Sequence, residues 1–361
     1  MRWTFKPNPE KEKTRKLVAE LHVDSIIAKL LLQRGIETYD AAKIFFRPNI
    51  NDLHDPYLMK DMDKAVERIE TAISKNENIL IYGDYDVDGT TAVSLVYSYL
   101  SSFYPNVITY IPDRYDEGYG VSYQGIDFAK DNVFSLIIAL DCGIKAVDKV
   151  QYALDKKVDF IICDHHRPGK KLPKAVAVLD PKREDCLYPY DELCGCGIGF
   201  KLIQALAKNQ HHSMDDLLPY LDLVATAIAA DIVPMTGENR ILAYYGLIVL
   251  NKAPRPGIRA LIHLPKKELT ISDVVFGIAP RINAAGRIKH GQYAVEILTE
   301  TNLESAIELA KEIEQNNIDR KELDKTITHE ALRQIEENDE QQKFSTVVYS
   351  ETWHKGVIGI V

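Results

Sequence analysis

Five short runs between residues 78 and 181 constrain the fold of this 361-residue chain more than any other feature. They are NILIYGDYD, NVITYIPD, FSLIIALDCG, DFIICDHH and AVAVLDP, each apolar and β-branched, each closing on polar residues that are mostly aspartate or histidine. Runs this short and this apolar suit strands buried on both faces. Between them lie helix-length segments such as TTAVSLVYSYLSS, YQGIDFAKD and KAVDKVQYALDKK. The alternation predicts an α/β fold: a parallel β-sheet with helices on both faces. Right-handed crossovers align the strand ends. Asp84, Asp86, Asp88, Asp113, Asp141, Asp164, His165 and His166 are therefore expected along one carboxyl edge, where open α/β sheets bind ligands.

The rest of the chain reads as mainly helical. Residues 15–46 carry apolar residues at helical spacing, with stops at Gly35 and before Pro48, and predict a helical N-terminal preface within 1–70. The α/β unit takes 71–302, and its part beyond 197 is helical. A charged segment beginning NLESAIELAKEIEQ predicts a long connector helix, or a pair, over 303–340. STVVYSETWHKGVIGIV then predicts a strand-like start, over 341–361, of a truncated second domain.

Composition bounds the function. No apolar run reaches the length of about 18 residues that a membrane helix needs, and MRWTFKPNPEKEKTRK has no signal-peptide pattern. Five cysteines, an odd number, point to reduced thiols in a cytoplasmic protein. With 44 basic and 53 acidic residues, the net charge of −9 counts against a simple nucleic-acid coat protein, which would usually be basic. It leaves room for a nucleic-acid enzyme whose basic track is local.

The stretch YGDYDVDGTT puts Asp84, Asp86 and Asp88 at alternate positions, and carboxylates that close need a cation. An EF-hand loop would require Glu at its twelfth position, where Leu95 stands. A P-loop would require Gly-Lys-Ser/Thr after Gly89. His165 and His166 directly follow Asp164, so imidazole can ligate a metal while the carboxylate orients it. Mixed carboxylate and imidazole donors favour Mn²⁺, Mg²⁺ or Fe²⁺ over a thiolate zinc site. Asp231 ends the apolar run LVATAIAAD, which is costly for an acid without a positive partner. Cys194 and Cys196 lack a matching pair for zinc, and Cys142 and Cys163 read as small core fillers. GCGIGF reads as tight packing against the crevice, and His211 and His212 as solvated surface. In APRINAAGRIKHG, Arg281 and Arg287 flank Asn283 and small residues that would let backbone approach a phosphate. Arg114, Lys145 and Arg167 add positive charge nearby.

Together DYDVDGTTA, LDCG, DHH, AIAADIVP and RINAAGR resemble the DHH phosphoesterase superfamily. IPDRYDEGYG and WHKGVIGIV narrow the resemblance to the RecJ family of bacterial single-strand-specific exonucleases, over residues 30–361. The resemblance implies two divalent cations, Mn²⁺ first and Mg²⁺ second, and 5′-to-3′ degradation of single-stranded DNA to 5′-mononucleotides in repair and recombination. It implies Asp86, Asp88, Asp141, His165 and Asp231 as ligands, with Asp141 bridging and Asp84 as a further acid. Asp164 would orient its neighbour and His166 would face the scissile phosphate. Arg114 would contact the 5′ end, and Arg281, Asn283 and Arg287 the phosphate track. The family continues beyond GVIGIV into a DHH-associated domain and an OB-fold that supply much of the DNA grip. A monomer working with single-stranded-DNA-binding protein and a helicase is expected.

Elementary chemistry agrees: two metals about 3.5–4 Å apart activate water and stabilise an alkoxide leaving group. His166 and an arginine would stabilise developing charge, and Tyr115 and Tyr119 would stack bases in a channel too narrow for duplex. The alternatives are a DHH phosphoesterase of small substrates (short oligonucleotides, cyclic dinucleotides or pyrophosphate) and an inactive replication scaffold. The second is disfavoured because every ligand acid is present.

Overall fold

The computed structural model describes residues 4–262 and 268–360. At its centre lies a five-stranded, wholly parallel sheet of β1 (Asn78–Gly83), β2 (Val107–Tyr110), β3 (Phe134–Leu140), β4 (Asp159–Cys163) and β5 (Ala177–Leu179). The order is β2-β1-β3-β4-β5. Successive side chains alternate between two cores, as the period of two in a strand requires. Ile79, Ile81, Leu136, Ile138, Ile161 and Leu179 enter one core, and Leu80, Tyr82, Ile137, Phe160, Ile162 and Val178 the other.

Helices α1 (Lys11–Leu21), α2 (Ser25–Leu32) and α3 (Tyr39–Phe46) form the preface around a small core of its own that includes Leu17, Ala28, Leu31 and Ala42. Helices α4 (Met62–Ser74) and α5 (Val87–Ser101) cover the first face of the sheet, and α6 (Tyr123–Asp131) and α7 (Val147–Asp155) the second. The first face also carries α8 (Gly195–Asn209), the single turn α9 (Met214–Leu217), α10 (Leu221–Asp231), α11 (Gly237–Lys252) and α12 (Pro256–Leu261). Then follow α13 (Ile271–Asp273), α14 (Ala279–Ile288), α15 (Gln292–Thr299) and α16 (Leu303–Glu337). The connector is thus one helix of 35 residues. Ala306, Ala310 and Ile313 bury its first half.

The predicted sheet with helices on both faces is present, and four local readings change. The preface run breaks at His22, which takes a left-handed φ of 54°, and restarts where Asp24 caps α2 by accepting from the Ile26 amide at 2.7 Å. The run MDDLLPYLDL breaks at Pro219, which cannot donate to a helix ladder. PRINAAGR is helical: its small residues serve close packing, with Ala284, Ala285 and Gly286 buried in α14. Residues 345–350 form no strand, since no neighbouring strand offers them a ladder among the described residues.

The strand order supplies the crevice. The chain leaves β1 for β2 on one side and later returns to β3 on the other, so the switch point falls between the ends of β1 and β3. Asp84 and Asp141 follow those two ends directly. Helix α10, which carries Asp231 at its last position, crosses close to α11 because Gly246 lacks a side chain there. A Cβ on Gly246 would overlap the Leu221 carbonyl and crowd Ala225.

We therefore expect Gly246→Ala to lower stability by about 1–3 kcal/mol, as overpacking does, despite alanine's better helix propensity. Urea denaturation followed by circular dichroism checks this. An unchanged midpoint would mean that the two helices can separate freely.

Candidate metal centre

Asp84, Asp141, Asp164 and Asp180 each follow the last residue of a parallel strand, β1, β3, β4 and β5 in turn. Past those ends the sheet no longer consumes backbone amides, so the carboxylates gather free donors. Asp84 Oδ1 accepts from the Tyr85 amide at 2.7 Å. Asp164 Oδ1 accepts from the His165 and His166 amides at 2.8 and 3.1 Å, and its Oδ2 from the Ile144 amide at 2.9 Å. Asp141 takes a left-handed φ of 59°, a backbone state that a non-glycine residue holds only when its surroundings force it. Gly195 stands against it, and a Cβ there would come within 2.6 Å of the Asp141 Cβ. The GCGIGF segment is thus tight packing, as its sequence suggested.

These ends converge on one imidazole. His165 Nε2 lies 3.1 Å from Asp141 Oδ1, 3.6 Å from Asp88 Oδ2 and 3.6 Å from Asp231 Oδ2. Donor atoms of Asp88, His165 and Asp231 lie within 4.8 Å of one another, and so do those of Asp141, His165 and His166. Two overlapping donor sets therefore share His165. Asp88 reaches in from the first turn of α5, where its two oxygens accept from the Gly195 and Cys196 amides at 2.7 and 2.8 Å. Those amides belong to the N-terminus of α8, which favours negative charge. Asp86 caps α5 through the Gly89 amide at 3.0 Å. His166 Nδ1 meets Asp164 Oδ1 at 2.8 Å, so its Nε2 is left for an outside group.

The electrostatics describe a site in need of positive charge. Burial and then the neighbouring Asp86 push the Asp84 carboxyl up to about 7. Burial and then Asp231 raise Asp88; burial and then Asp88 raise Asp141; burial and then Asp86 raise Asp231. Asp164 moves the other way: burial would raise it, but the bonds from His166 and the Ile144 amide prevail and keep it ionised. Burial lowers His165 and keeps its ring neutral, the form that ligates metals. The bond to Asp164 raises His166. Asp84 Oδ2 and Asp141 Oδ1 are buried without a hydrogen-bond partner. Orphaned carboxylate oxygens beside a neutral imidazole fit a divalent cation bound by oxygen and nitrogen.

The arginines divide. Arg114 stacks on the Tyr85 ring with its guanidinium carbon 3.8 Å from the centroid, and donates from Nε to the Gly286 carbonyl at 3.0 Å. Arg287 and Asn283 line a cavity of about 200 Å³ beside Ala230. Arg281 is absent from that lining. It pairs with Glu314 of α16 at 2.5 Å, so the structure engages it with the connector. Tyr115 donates to the Arg287 carbonyl at 2.8 Å and meets the His354 ring edge-on, while Tyr119 stays half exposed beside Tyr85. Asp113 caps its own loop by accepting from the Tyr115 and Asp116 amides and joins neither donor set. A second cavity, of about 350 Å³, runs from His166 and Asp164 past Tyr119, Tyr123 and Lys145.

Asp180 escapes notice in the sequence. It is fully buried with Oδ2 unpartnered, and burial pushes it up to about 7. The signal is there to be read, because VLDP repeats the pattern of apolar strand followed by aspartate.

A pH dependence follows. A carboxyl raised in the folded state holds its proton longer there than when unfolded, so stability falls as pH rises through that interval. For Asp84 and Asp180 the interval runs from about 4 to about 7. The metal-free chain is expected to lose thermal stability across it, and saturating Mn²⁺ to flatten the loss. A stabilisation by Mn²⁺ that shrinks with rising pH, in thermal scans, would contradict this.

Residues 78–228 match the family model described as the DHH family, N-terminal domain. The chain is 40% identical to the single-stranded-DNA-specific exonuclease RecJ of Bacillus subtilis, across 100% of this chain and 45% of that protein. It is 31% identical to RecJ of Escherichia coli, across 98% of this chain and 63% of that protein. RecJ of Thermus thermophilus, solved in complex with Mn²⁺, superposes with a TM-score of 0.83 at 27% identity, covering 98% of this chain and 50% of that one. The chain thus spans less than two thirds of the length of these relatives. A DHH domain model over residues 78–228, with similarity to RecJ along the whole of this chain, leaves one conclusion: the chain belongs to the DHH family, with the RecJ proteins.

Proposed function

We propose that this chain carries the catalytic centre of a single-strand-specific DNA exonuclease that hydrolyses phosphodiesters from the 5′ end and releases 5′-mononucleotides. The observation that carries the reading is the convergence of Asp88, Asp141 and Asp231, from three separate elements, on His165 Nε2. Asp84, Asp86, Asp88, Asp141, His165 and Asp231 would hold two divalent cations, Mn²⁺ before Mg²⁺. RecJ of Thermus thermophilus has been solved with each of these ions. When bound, such a pair supplies Lewis acidity and activated water for an in-line displacement.

The chain's own groups do the remaining work. Asp164 fixes His166 through Nδ1 and favours its protonated form, so Nε2 can donate to an anionic phosphoryl oxygen. Asp88 is pinned by two amides of α8 and cannot swing away from the cluster. Arg114, flat on Tyr85 and tied to α14, keeps a fixed positive face at the rim and suits the 5′ end. Five free cysteines, four of them buried, suit a reducing cytoplasm. No helix among the described residues is long and apolar enough to cross a membrane. A helicase and a single-stranded-DNA-binding protein are the partners that would present a free strand, and a monomer would suffice.

Asp141→Asn should cut Mn²⁺-dependent release of nucleotides from a 3′-labelled single strand by about 10³-fold or more, given the several kcal/mol that metal-borne charge stabilisation supplies. Its circular dichroism should match the parent's. His166→Gln should cost about 10²–10³-fold, as loss of one oxyanion donor does. Arg114→Ala should slow 5′-phosphorylated strands more than it weakens Mn²⁺ binding. Full activity in Asp141→Asn would remove the cluster from the reaction. Cleavage confined to dinucleotides or pyrophosphate, with long strands intact, would favour the small-substrate reading.

A further inference from the structure

Asp231 is the last residue of α10, so its direction depends on how the chain leaves that helix. The exit is strained. Ile232 follows with a left-handed φ of 56°, which a β-branched residue adopts only under constraint. Its side chain is 84% exposed, so burial of the isoleucine does not offset that cost. The segment after Asp231 must be held by other contacts.

Asn239, in the first turn of α11, supplies them. It is fully buried, and its Nδ2 donates to the Pro234 carbonyl at 3.1 Å and to the Glu192 carbonyl at 2.6 Å. Pro234 lies three residues beyond Asp231. Glu192 lies three residues before Gly195, whose amide fixes Asp88 together with that of Cys196. One side-chain amide thus joins the exit from one cluster acid to the approach of the turn that grips another. Tyr190 adds a second bond to the same Pro234 carbonyl, at 3.2 Å. The platform under Asn239 is firm, because the adjacent Glu238 is buried and takes the Lys201 ammonium and the Tyr188 hydroxyl, each at 2.6 Å.

Satisfying two loop carbonyls does not by itself account for this residue. Asn239 Oδ1 is buried without a hydrogen-bond partner, and a dry acceptor costs stability. The amide is therefore kept for its donors. A carboxamide carries two N–H protons on one uncharged nitrogen, and both go to carbonyls here. Those carbonyls belong to the two segments that support Asp231 and Asp88, which with His165 form one of the two donor sets.

We propose that Asn239 is a positioning residue of the metal centre, which keeps Asp231 at the distance from Asp88 that a divalent cation between them requires. The proposal rests on the two-cation reading above and names a support for one side of the cluster. Asp84 and Asp141 follow the ends of β1 and β3, and neither bond of the Asn239 amide goes to the segments that carry them.

The test titrates the whole chain with Mn²⁺ by calorimetry, for the parent and for Asn239→Ala. The parent should bind two ions. Asn239→Ala should weaken one binding step by about 10–100-fold, the effect of removing a group that orients a metal ligand, and leave the other within about twofold. A purely structural role would lower the melting temperature of the metal-free chain and leave both steps at parental affinity. Hydrogen exchange of the metal-free chain gives a reading independent of any ion: Asn239→Ala should exchange faster over residues 190–196 and 231–238 and match the parent over the ends of β1 and β3. If Asn239→Ala does not fold, Tyr190→Phe decides, since it removes only a hydroxyl from the Pro234 carbonyl: a weakened step supports the proposal and parental affinity overturns it. A parent that binds one ion contradicts the two-cation reading, and Asn239 is then judged on that ion by the same criterion. A parent that binds none overturns both. Two steps at parental affinity in Asn239→Ala, equal weakening of both, or unchanged exchange after Asp231 would overturn the positioning role.

Discussion

Mutual repulsion among buried carboxylates is the constraint on which the structure turns. Asp84, Asp88 and Asp141 are almost wholly buried, and each disfavours the ionisation of its neighbours. A fold does not accumulate such a cluster for stability, because burying charge without a partner costs more than an apolar side chain in the same place. The cluster persists because the rest of the molecule imposes it. Strand ends aim Asp84, Asp141 and Asp164 at one edge, amides of α8 hold Asp88, and Gly195 leaves room for Asp141 in its left-handed conformation.

The same organisation separates rigid from adjustable parts. The donors lie on strand ends and helix termini whose hydrogen bonds are internal to the core, so their spacing is set before any ligand arrives. The positive rim is built differently. Arg114 and Arg287 bridge the loop after β2, helix α14 and the segment around Gly356 through carbonyl contacts. Arg281 ties α14 to α16 by an ion pair. The positive charge of the rim thus depends on how α14, α16 and the last residues sit together, and the carboxylate cluster does not.

Much of this is legible in the letters. β-branched apolar runs of fixed short length have few alternatives to buried strands, so the sheet and its carboxyl edge follow from periodicity, and with them Asp84, Asp141 and the Asp164–His166 trio. Asp231 can be singled out because an acid closing the run LVATAIAAD needs a partner. What sequence does not supply is long-range pairing. Nothing local reveals that Asp88 meets the amides of residues 195 and 196, or that Arg281 is engaged by a glutamate 33 residues downstream. The small residues of PRINAAGR suggest backbone open to phosphate. They instead let α14 lie against the Tyr85 carbonyl, which a Cβ on Gly286 would approach to 2.5 Å. The run at 345–350 shows the converse limit, since strand propensity makes no strand where no neighbour offers hydrogen bonds.

The most direct measurement is anomalous diffraction at the manganese edge from crystals grown with Mn²⁺. The account predicts two peaks about 3.5–4 Å apart, the spacing of two-metal phosphodiesterase centres, among Asp88, Asp141, His165 and Asp231. Manganese bound only elsewhere, or no ordered peak in that cluster at saturating concentration, would contradict it.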